Sequence, residues 1–96
     1  MSDASASVRR NPARHCFDLE ADGRTAGHLK YRERDGVLEL VHTEVDSAFQ
    51  GRGLAAILAR AALDDARAAG QRVVPSCAYV ASFIERHPEY RDLVAS

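Results

Sequence analysis

The sequence lacks the features of several protein classes. It has no tryptophan, one lysine and two cysteines, Cys16 and Cys77, which lie far apart and form no metal-binding pair. This excludes a disulfide-stabilised scaffold and indicates no metal site, so we expect reduced thiols and no bound metal. No apolar run approaches the ~20 residues that span a bilayer, and the first residues do not resemble a secretory signal, so we expect a cytoplasmic protein.

An excess of charge of one sign is also missing. The 13 basic and 14 acidic residues give a net charge of −1, so no overall field attracts nucleic acid or an anionic membrane. A chain of 96 residues, 46% of them hydrophobic, is long enough for one small core. We expect a disordered polar tail over residues 1–14, a single domain over residues 15–96, and a monomer.

Hydrophobic periodicity predicts an α+β fold with the order β-β-β-α-β-α. Strands are predicted over residues 16–20, 25–34, 37–45 and 72–75, and helices over residues 53–69 and 78–86. Tight hairpin turns are predicted at Asp22-Gly23 and Asp35-Gly36. The last two strands are expected to be parallel because the long helix crosses between them. Simple alternation along the third strand predicts that Leu38, Leu40 and His42 share one face.

The segment between the third strand and the long helix carries the most chemical information. Its residues are Gln50, Gly51, Arg52, Gly53, Leu54 and Ala55. A helix N-terminus has unpaired backbone amides and partial positive charge, and glycines let successive amides point at one anion. Such a loop suits a diphosphate, to which Arg52 can add a contact. The same spacing occurs at an ordinary helix start, so the loop alone does not decide between the two.

Two common phosphate loops are excluded by the residues that follow Gly53. Leu54 and Ala55 stand where a Walker loop needs Lys and then Ser or Thr, and Ala56 stands where the dinucleotide fingerprint needs its third glycine. The loop instead resembles the Gln/Arg-x-x-Gly-x-Gly/Ala signature of the GCN5-related N-acetyltransferases. With residues 40–45, 75–80 and 86–90, the chain is similar to small single-domain members of the YjdJ type over roughly residues 15–94.

This resemblance implies a minimal acetyltransferase fold that binds acetyl-coenzyme A. In that fold, the strand before the loop splays from its parallel neighbour and the pantetheine arm fills the gap. The resemblance assigns contacts with pantetheine to Thr43, Glu44 and Val45. It assigns the pyrophosphate to Gln50, Gly51, Arg52, Gly53, Leu54 and Ala55. An amine acceptor is the expected second partner.

Two side chains are candidates for catalysis. Cys77 directly precedes a predicted helix, where the helix dipole lowers the pKa of a thiol. It is either a reactive thiol beside the acetyl group or a small buried hydrophobe. His42 is either a general base for the amine or a half-buried histidine of the sheet.

The acid that protonates the leaving thiolate has no clear counterpart. Many family members carry a tyrosine on the last helix, and counting from Cys77 that position is Ile84. Tyr79 lies nearby and is either a proton donor or a packing aromatic. The resemblance thus implies an N-acetyltransferase that acts directly or through Cys77. The alternatives are a non-catalytic acyl-coenzyme A-binding module and, more distantly, a structural domain without a cofactor.

Overall fold

A computed structural model describes residues 6–95, which form one five-stranded sheet packed against two helices. The strands are β1 (Ser7–Asn11), β2 (Cys16–Ala21), β3 (Arg24–Arg34), β4 (Val37–Val45) and β5 (Arg72–Pro75). The helices are α1 (Leu54–Ala68) and α2 (Ala78–Arg86), with 3₁₀ segments at Ser47–Phe49 and Pro88–Leu93. The five strands described lie in chain order, and among them only the pair β4–β5 is parallel. The mixed, mostly antiparallel sheet and the α+β class are confirmed.

Strand β1 is absent from the predicted order. Residues 7–11 pair antiparallel with β2, so the expected disorder of residues 1–14 is wrong for this part. The Arg10 guanidinium lies 4.7 Å from the Tyr31 ring centroid and donates to Asp65 of α1 at 2.6 Å. The half-buried Val8 and the stem and planar head of Arg10 supply the inward contacts, so the mostly polar composition conceals the strand. The first five residues of the predicted tail lie outside the described part.

Strands β2, β3 and β4 form an antiparallel meander with two tight turns, as predicted. Asp22 and Gly23 have φ angles of 54° and 76°, and Asp35 and Gly36 have φ angles of 53° and 78°. Two successive residues with positive φ form the turn whose twist matches that of a hairpin. The meander therefore places β4 beside β3, ready to accept β5 on its other edge.

Helix α1 crosses from β4 to β5 and makes that pair parallel. Its buried residues are Leu54, Leu58, Ala59, Ala62, Leu63 and Ala66. They join Leu29 and Leu40 of the sheet, and Val80 and Phe83 of α2, in one hydrophobic core. Within residues 6–95, neither helix is long and apolar enough to cross a membrane.

A β-bulge interrupts the regular alternation of β4. Lys30 of β3 opposes His42, whereas the next residue, Tyr31, opposes Leu40. Val41 is therefore the extra residue of the bulge. One extra residue shifts every later side chain of β4 to the opposite face.

The bulge decides which side chains of β4 face the helices. Thr43 opposes the buried Leu29 and lies on the core side, while His42 is exposed on the other face. The prediction that His42 shares a face with Leu38 and Leu40 is therefore wrong. Its physical reason is that the period of two does not continue through a bulge.

Candidate active site

Strands β4 and β5 part midway along β4. Their ladder joins Val37–Leu40 to Arg72–Pro75, and Pro75 has no amide hydrogen with which to continue it. The amide of Cys77 donates to the Leu40 carbonyl at 2.9 Å, and the chain then turns into α2. Because β4 runs on to Val45, the end of this strand is paired, within residues 6–95, with β3 alone and borders a cleft.

The backbone of Thr43 and Val45 points into this cleft. The amide of Asp46 donates to the Ala26 carbonyl of β3 at 2.7 Å. Since the polar groups of successive strand residues alternate sides, those of Val45 and Thr43 point away from β3. The Gln50 side-chain amide donates to the Val45 carbonyl at 3.3 Å, which ties the glycine loop to the edge of the cleft.

The glycine loop is open at the start of α1. Gly51 and Gly53 have φ angles of 84° and 73°, a region that other residues adopt only with strain. Gly53 is the N-cap and provides no side-chain cap for the helix amides. A β-carbon added at either glycine would meet no atom within 4 Å. Other described parts of the protein therefore leave room for an anion at these amides.

A cavity of about 280 Å³ joins the cleft to the loop. Seven predicted cofactor residues line it: Thr43, Val45, Gln50, Gly51, Gly53, Leu54 and Ala55. Phe49 and Tyr79 complete the lining. The cavity thus lies where backbone amides of the loop and of the β4 edge converge.

The side chains of Glu44 and Arg52 lie outside this lining. Glu44 is on the exposed face of β4, where its carboxylate is 3.2 Å from Nε2 of His28. Arg52 donates to the Asp22 carboxylate of the β2–β3 turn at 2.9 Å. The position of the Glu44 side chain follows from strand alternation after the bulge. The position of the Arg52 side chain follows from a long-range ion pair, which the local sequence does not indicate.

Phe49 is the lining residue that the sequence interpretation missed. It ends the 3₁₀ segment Ser47–Phe49 and is buried beside the loop. The side chain of Asp46 accepts a hydrogen bond from the Ala48 amide at 2.9 Å, which begins this turn. An aromatic residue directly before a glycine loop was the available signal, but local pattern does not say which way its ring points.

Cys77 is the N-cap of α2 and is 8% exposed. Its sulfur lies 3.4 Å from the Thr43 hydroxyl, so it contacts a residue that lines the cavity. Burial alone would raise the pKa of the thiol, but the bond with Thr43 and nearby backbone amides lower the pKa below its ordinary value. None of the helix amides makes a well-directed side-chain cap to the sulfur. We therefore regard Thr43 as the main specific partner.

Tyr79 is the candidate for the side chain that protonates the leaving thiolate. It is half-buried in the cavity wall, whereas Ile84 is buried in the core. Burial raises the pKa of Tyr79, an effect that Arg86 opposes and Cys77 reinforces. The phenol therefore keeps its proton at neutral pH and is available as a donor.

His42 is not part of the cavity wall. It opposes Lys30 on the exposed face of the sheet, while Thr43 and Cys77 meet on the other face. The structure thus brings Cys77, Thr43 and Tyr79 together and leaves His42 apart from them.

Comparison with known proteins identifies the class to which this fold and cleft belong. The model of the GCN5-related N-acetyltransferase family matches residues 16–93. The chain belongs to this family. Protein NATD1 of Xenopus tropicalis is 37% identical over 90 residues, covering 90% of this chain and 83% of that protein. Protein NATD1 of Bos taurus is 40% identical over 52 residues, and the match spans only 46% of that relative's length.

Two solved structures share the architecture. A GCN5-like protein from Staphylococcus aureus, determined in solution by NMR, superposes with a TM-score of 0.71 at 19% identity, covering 97% of this chain and 91% of that one. This likeness concerns the fold. A GNAT family acetyltransferase from Brucella melitensis, crystallised in complex with acetyl-CoA, has a TM-score of 0.56 at 27% identity, covering 71% and 50% of the two chains.

Proposed function

We propose that this protein binds acetyl-coenzyme A in the cleft between β4 and β5 and transfers the acetyl group to an amine. The observation that carries the proposal is the open glycine loop at the start of α1 beside a parted parallel strand pair. The loop amides suit a diphosphate, and the cleft edge suits an extended chain that contains amides. Membership of the family and the acetyl-CoA complex of the Brucella relative agree with this ligand.

The pantetheine arm would lie along β4 as an added strand. Thr43 and Val45 direct backbone groups into the cleft and would bond to the amides of the arm. Glu44 would contribute through its position in the strand, since its side chain pairs with His28 on the other face. The pyrophosphate would lie against the amides of the 50–55 loop. In this arrangement Arg52, already paired with Asp22, is a secondary contact.

Direct transfer needs few groups from this chain. The acceptor nitrogen attacks the thioester carbonyl carbon, a C–N bond forms and the C–S bond breaks. The nitrogen loses one proton to solvent, and the departing thiolate takes up one proton. Backbone amides on the open edge of β4 would stabilise charge on the carbonyl oxygen. Tyr79 would supply the proton to the thiolate. The general base role of His42 remains a prediction, and the structure places this residue outside the cavity wall.

A two-step route uses Cys77. Its sulfur attacks the same carbonyl carbon, its proton passes to the departing thiolate, and an acetyl-thioester forms on the protein. The amine then attacks that thioester, gains the acetyl group, and restores the Cys77 thiol. The lowered pKa of Cys77 and its contact with Thr43 support this route.

A non-catalytic acyl-coenzyme A-binding module is the second candidate. It is favoured by Ile84, which is buried where many relatives are expected to place a proton donor, and by the distance of His42 from the cavity wall. Such a module would bind the ligand in the same cleft. It would release no coenzyme A thiol when amines are offered.

Calorimetric titration with coenzyme A and intact-mass measurement with acetyl-coenzyme A test these alternatives together. We expect saturable binding, and release of thiol when polyamines or lysine peptides are added. An adduct of one acetyl group that is lost in Cys77→Ser but kept in Cys16→Ser identifies the two-step route. Binding without thiol release across the amine panel supports the module, and absence of binding overturns the proposal.

Several finer assignments remain predictions. They are the YjdJ-type subfamily, a single-domain organisation, a monomeric state, and a cytoplasmic location. The predicted start of that domain at residue 15 is wrong, because residues 7–11 pair with β2 in the same sheet. The acceptor is proposed only as an amine, of a small molecule or of a protein. Sedimentation of the purified chain would test the monomeric state.

A further inference from the structure

The β2–β3 hairpin reaches the glycine loop. Asp22, in the turn of this hairpin, accepts a hydrogen bond from Arg52 of the loop at 2.9 Å. Arg24, two residues further on, places its guanidinium carbon 4.9 Å from the ring centroid of Phe49. Phe49 in turn lines the cavity with Gly51 and Gly53. One end of the proposed cofactor site is therefore flanked by a second, sequence-distant element.

The two arginines at this end differ in their electrostatic surroundings. The positive charge of Arg52 is offset by Asp22. Arg24 is exposed and stacks on Phe49, but within residues 6–95 its guanidinium has no acidic partner and no hydrogen bond. The N–H groups of a guanidinium lie in its plane, so a guanidinium that stacks on a ring keeps them available for bidentate contact with a phosphate.

Coenzyme A carries phosphate in two places. Besides the pyrophosphate, its ribose bears a 3′-phosphate, a monoester with a charge of about −1.5 to −2 near pH 7. A loop that holds the pyrophosphate leaves the adenosine end at the rim of the site. Arg24 stacks on Phe49, which lines the cavity together with Gly51 and Gly53, and Arg24 itself lies outside that lining.

We infer that Arg24, held on the ring of Phe49, binds the 3′-phosphate of coenzyme A and makes the protein prefer coenzyme A to 3′-dephospho-coenzyme A. This inference rests on the proposed function. It names a residue from the hairpin, outside the glycine loop, as the one that determines cofactor specificity. Arg52 then serves to attach the hairpin turn to the loop.

Titration of the wild-type chain with coenzyme A and with dephospho-coenzyme A tests the inference. We expect the wild type to bind coenzyme A about tenfold more tightly, as for one charge-assisted contact at an exposed site. Arg24→Gln should remove this preference by weakening coenzyme A alone, with affinity for dephospho-coenzyme A unchanged. Arg34→Gln, an exposed arginine at the opposite end of β3, is the matched control and should keep the preference.

Two further measurements sharpen the test. Raising the salt concentration should reduce the preference of the wild type but not the affinity of Arg24→Gln for dephospho-coenzyme A. Arg24→Lys should restore part of the preference, because it keeps the charge and loses the planar fork. Thermal unfolding of each variant checks that it is folded.

Three results overturn the inference, and they are distinguishable. Equal binding of both ligands by the wild type shows that the 3′-phosphate is not recognised. A preference that survives Arg24→Gln but is lost in Arg52→Gln or Arg86→Gln assigns it to another arginine. Failure of the wild type to bind either ligand overturns the proposed function, and this subsite with it.

Discussion

The two halves of β4 belong to one strand but differ in their pairing and in their role. Residues 37–40 are paired on both sides, with β3 and β5, and Leu38 and Leu40 are fully buried. Residues 41–45 are paired with β3 alone, begin with a bulge, and border the cavity. We call these the closed half and the open half. The closed half forms part of the core, whereas on one edge of the open half the backbone has no strand partner among residues 6–95 and faces the cavity.

The difference in pairing arises from the length of the neighbouring strand. The closed half reads Val-Leu-Glu-Leu and the open half Val-His-Thr-Glu-Val, and burial alternates along both halves. The open half exists because β5 stops at Pro75 and α2 begins at Ala78, so the neighbouring strand is too short to cover it. An unpaired strand edge is normally a liability, and here it is confined to a cleft beside the glycine loop.

The largest expected effect comes from the closed half. Leu38→Ala removes a fully buried side chain and should lower the free energy of unfolding by about 3 kcal/mol. Val45→Ala, at a half-buried position of the open half, should cost about 1 kcal/mol or less. Urea denaturation of both variants measures the contrast. Similar losses for the two would show that the halves do not differ in their contribution to the core.

A substitution at Gly27 tests whether the open half of β4 must lie close to β3. A β-carbon at this position would lie only 2.4 Å from the backbone oxygen of Glu44, so β3 and β4 would have to separate. We expect Gly27→Ala to cost about 2 kcal/mol of stability and to weaken coenzyme A binding. The exposed neighbour Thr25→Ala should change stability by less than about 0.5 kcal/mol. Unfolding curves and calorimetry provide both readouts, and a wild-type affinity in a destabilised Gly27→Ala would contradict the link to binding.

Substitution of the glycines at the two ends of α1 distinguishes the effect of backbone strain from an effect on ligand binding. Gly53 and Gly70 have φ angles of 73° and 70°, and each has open space around the β-carbon position. Each change to alanine should therefore cost about 1 kcal/mol of stability. Only Gly53→Ala should also reduce the affinity for coenzyme A, by about tenfold. Equal affinity losses in the two variants would remove the special role of the loop.

The smallest expected effect is a difference between the two thiols in the pH dependence of their alkylation. Burial and the carboxylate of Asp18 raise the pKa of Cys16, whereas the pKa of Cys77 is lowered by Thr43 and nearby amides despite burial. The thiolate is the reactive form, so the rate of alkylation should reach half its maximum at lower pH for Cys77. Iodoacetamide labelling followed by peptide mass measurement gives both pH profiles.

Thr43 provides the control for this thiol comparison. Thr43→Val removes the hydroxyl that contacts Cys77 and should move the Cys77 profile to higher pH without moving that of Cys16. Thr43→Ser keeps the hydroxyl and should leave both profiles in place. A Cys77 profile that ignores Thr43→Val would show that the helix amides, rather than this contact, lower its pKa.

Local patterns in the sequence determined most of the elements and the position of the loop. The bounds of β4, β5 and α2 agree with those predicted, and both hairpin turns have the expected positive φ angles. These features depend on residues close in sequence: two-residue turns, strand alternation, helical spacing, and glycine before a helix. The open loop and the parting of β4 from β5 also follow from the order of these elements, together with the family resemblance.

The tertiary structure alone decided what depends on distant contacts. Strand β1 pairs with β2 and is held in part through Arg10, whose partners Tyr31 and Asp65 lie 21 and 55 residues away. The bulge at Val41, which turns Thr43 toward Cys77 and His42 away, is a property of the pairing with β3. A one-residue shift in register reverses the face of every later side chain. No pattern within β4 reports that shift, because it is set by the partner strand.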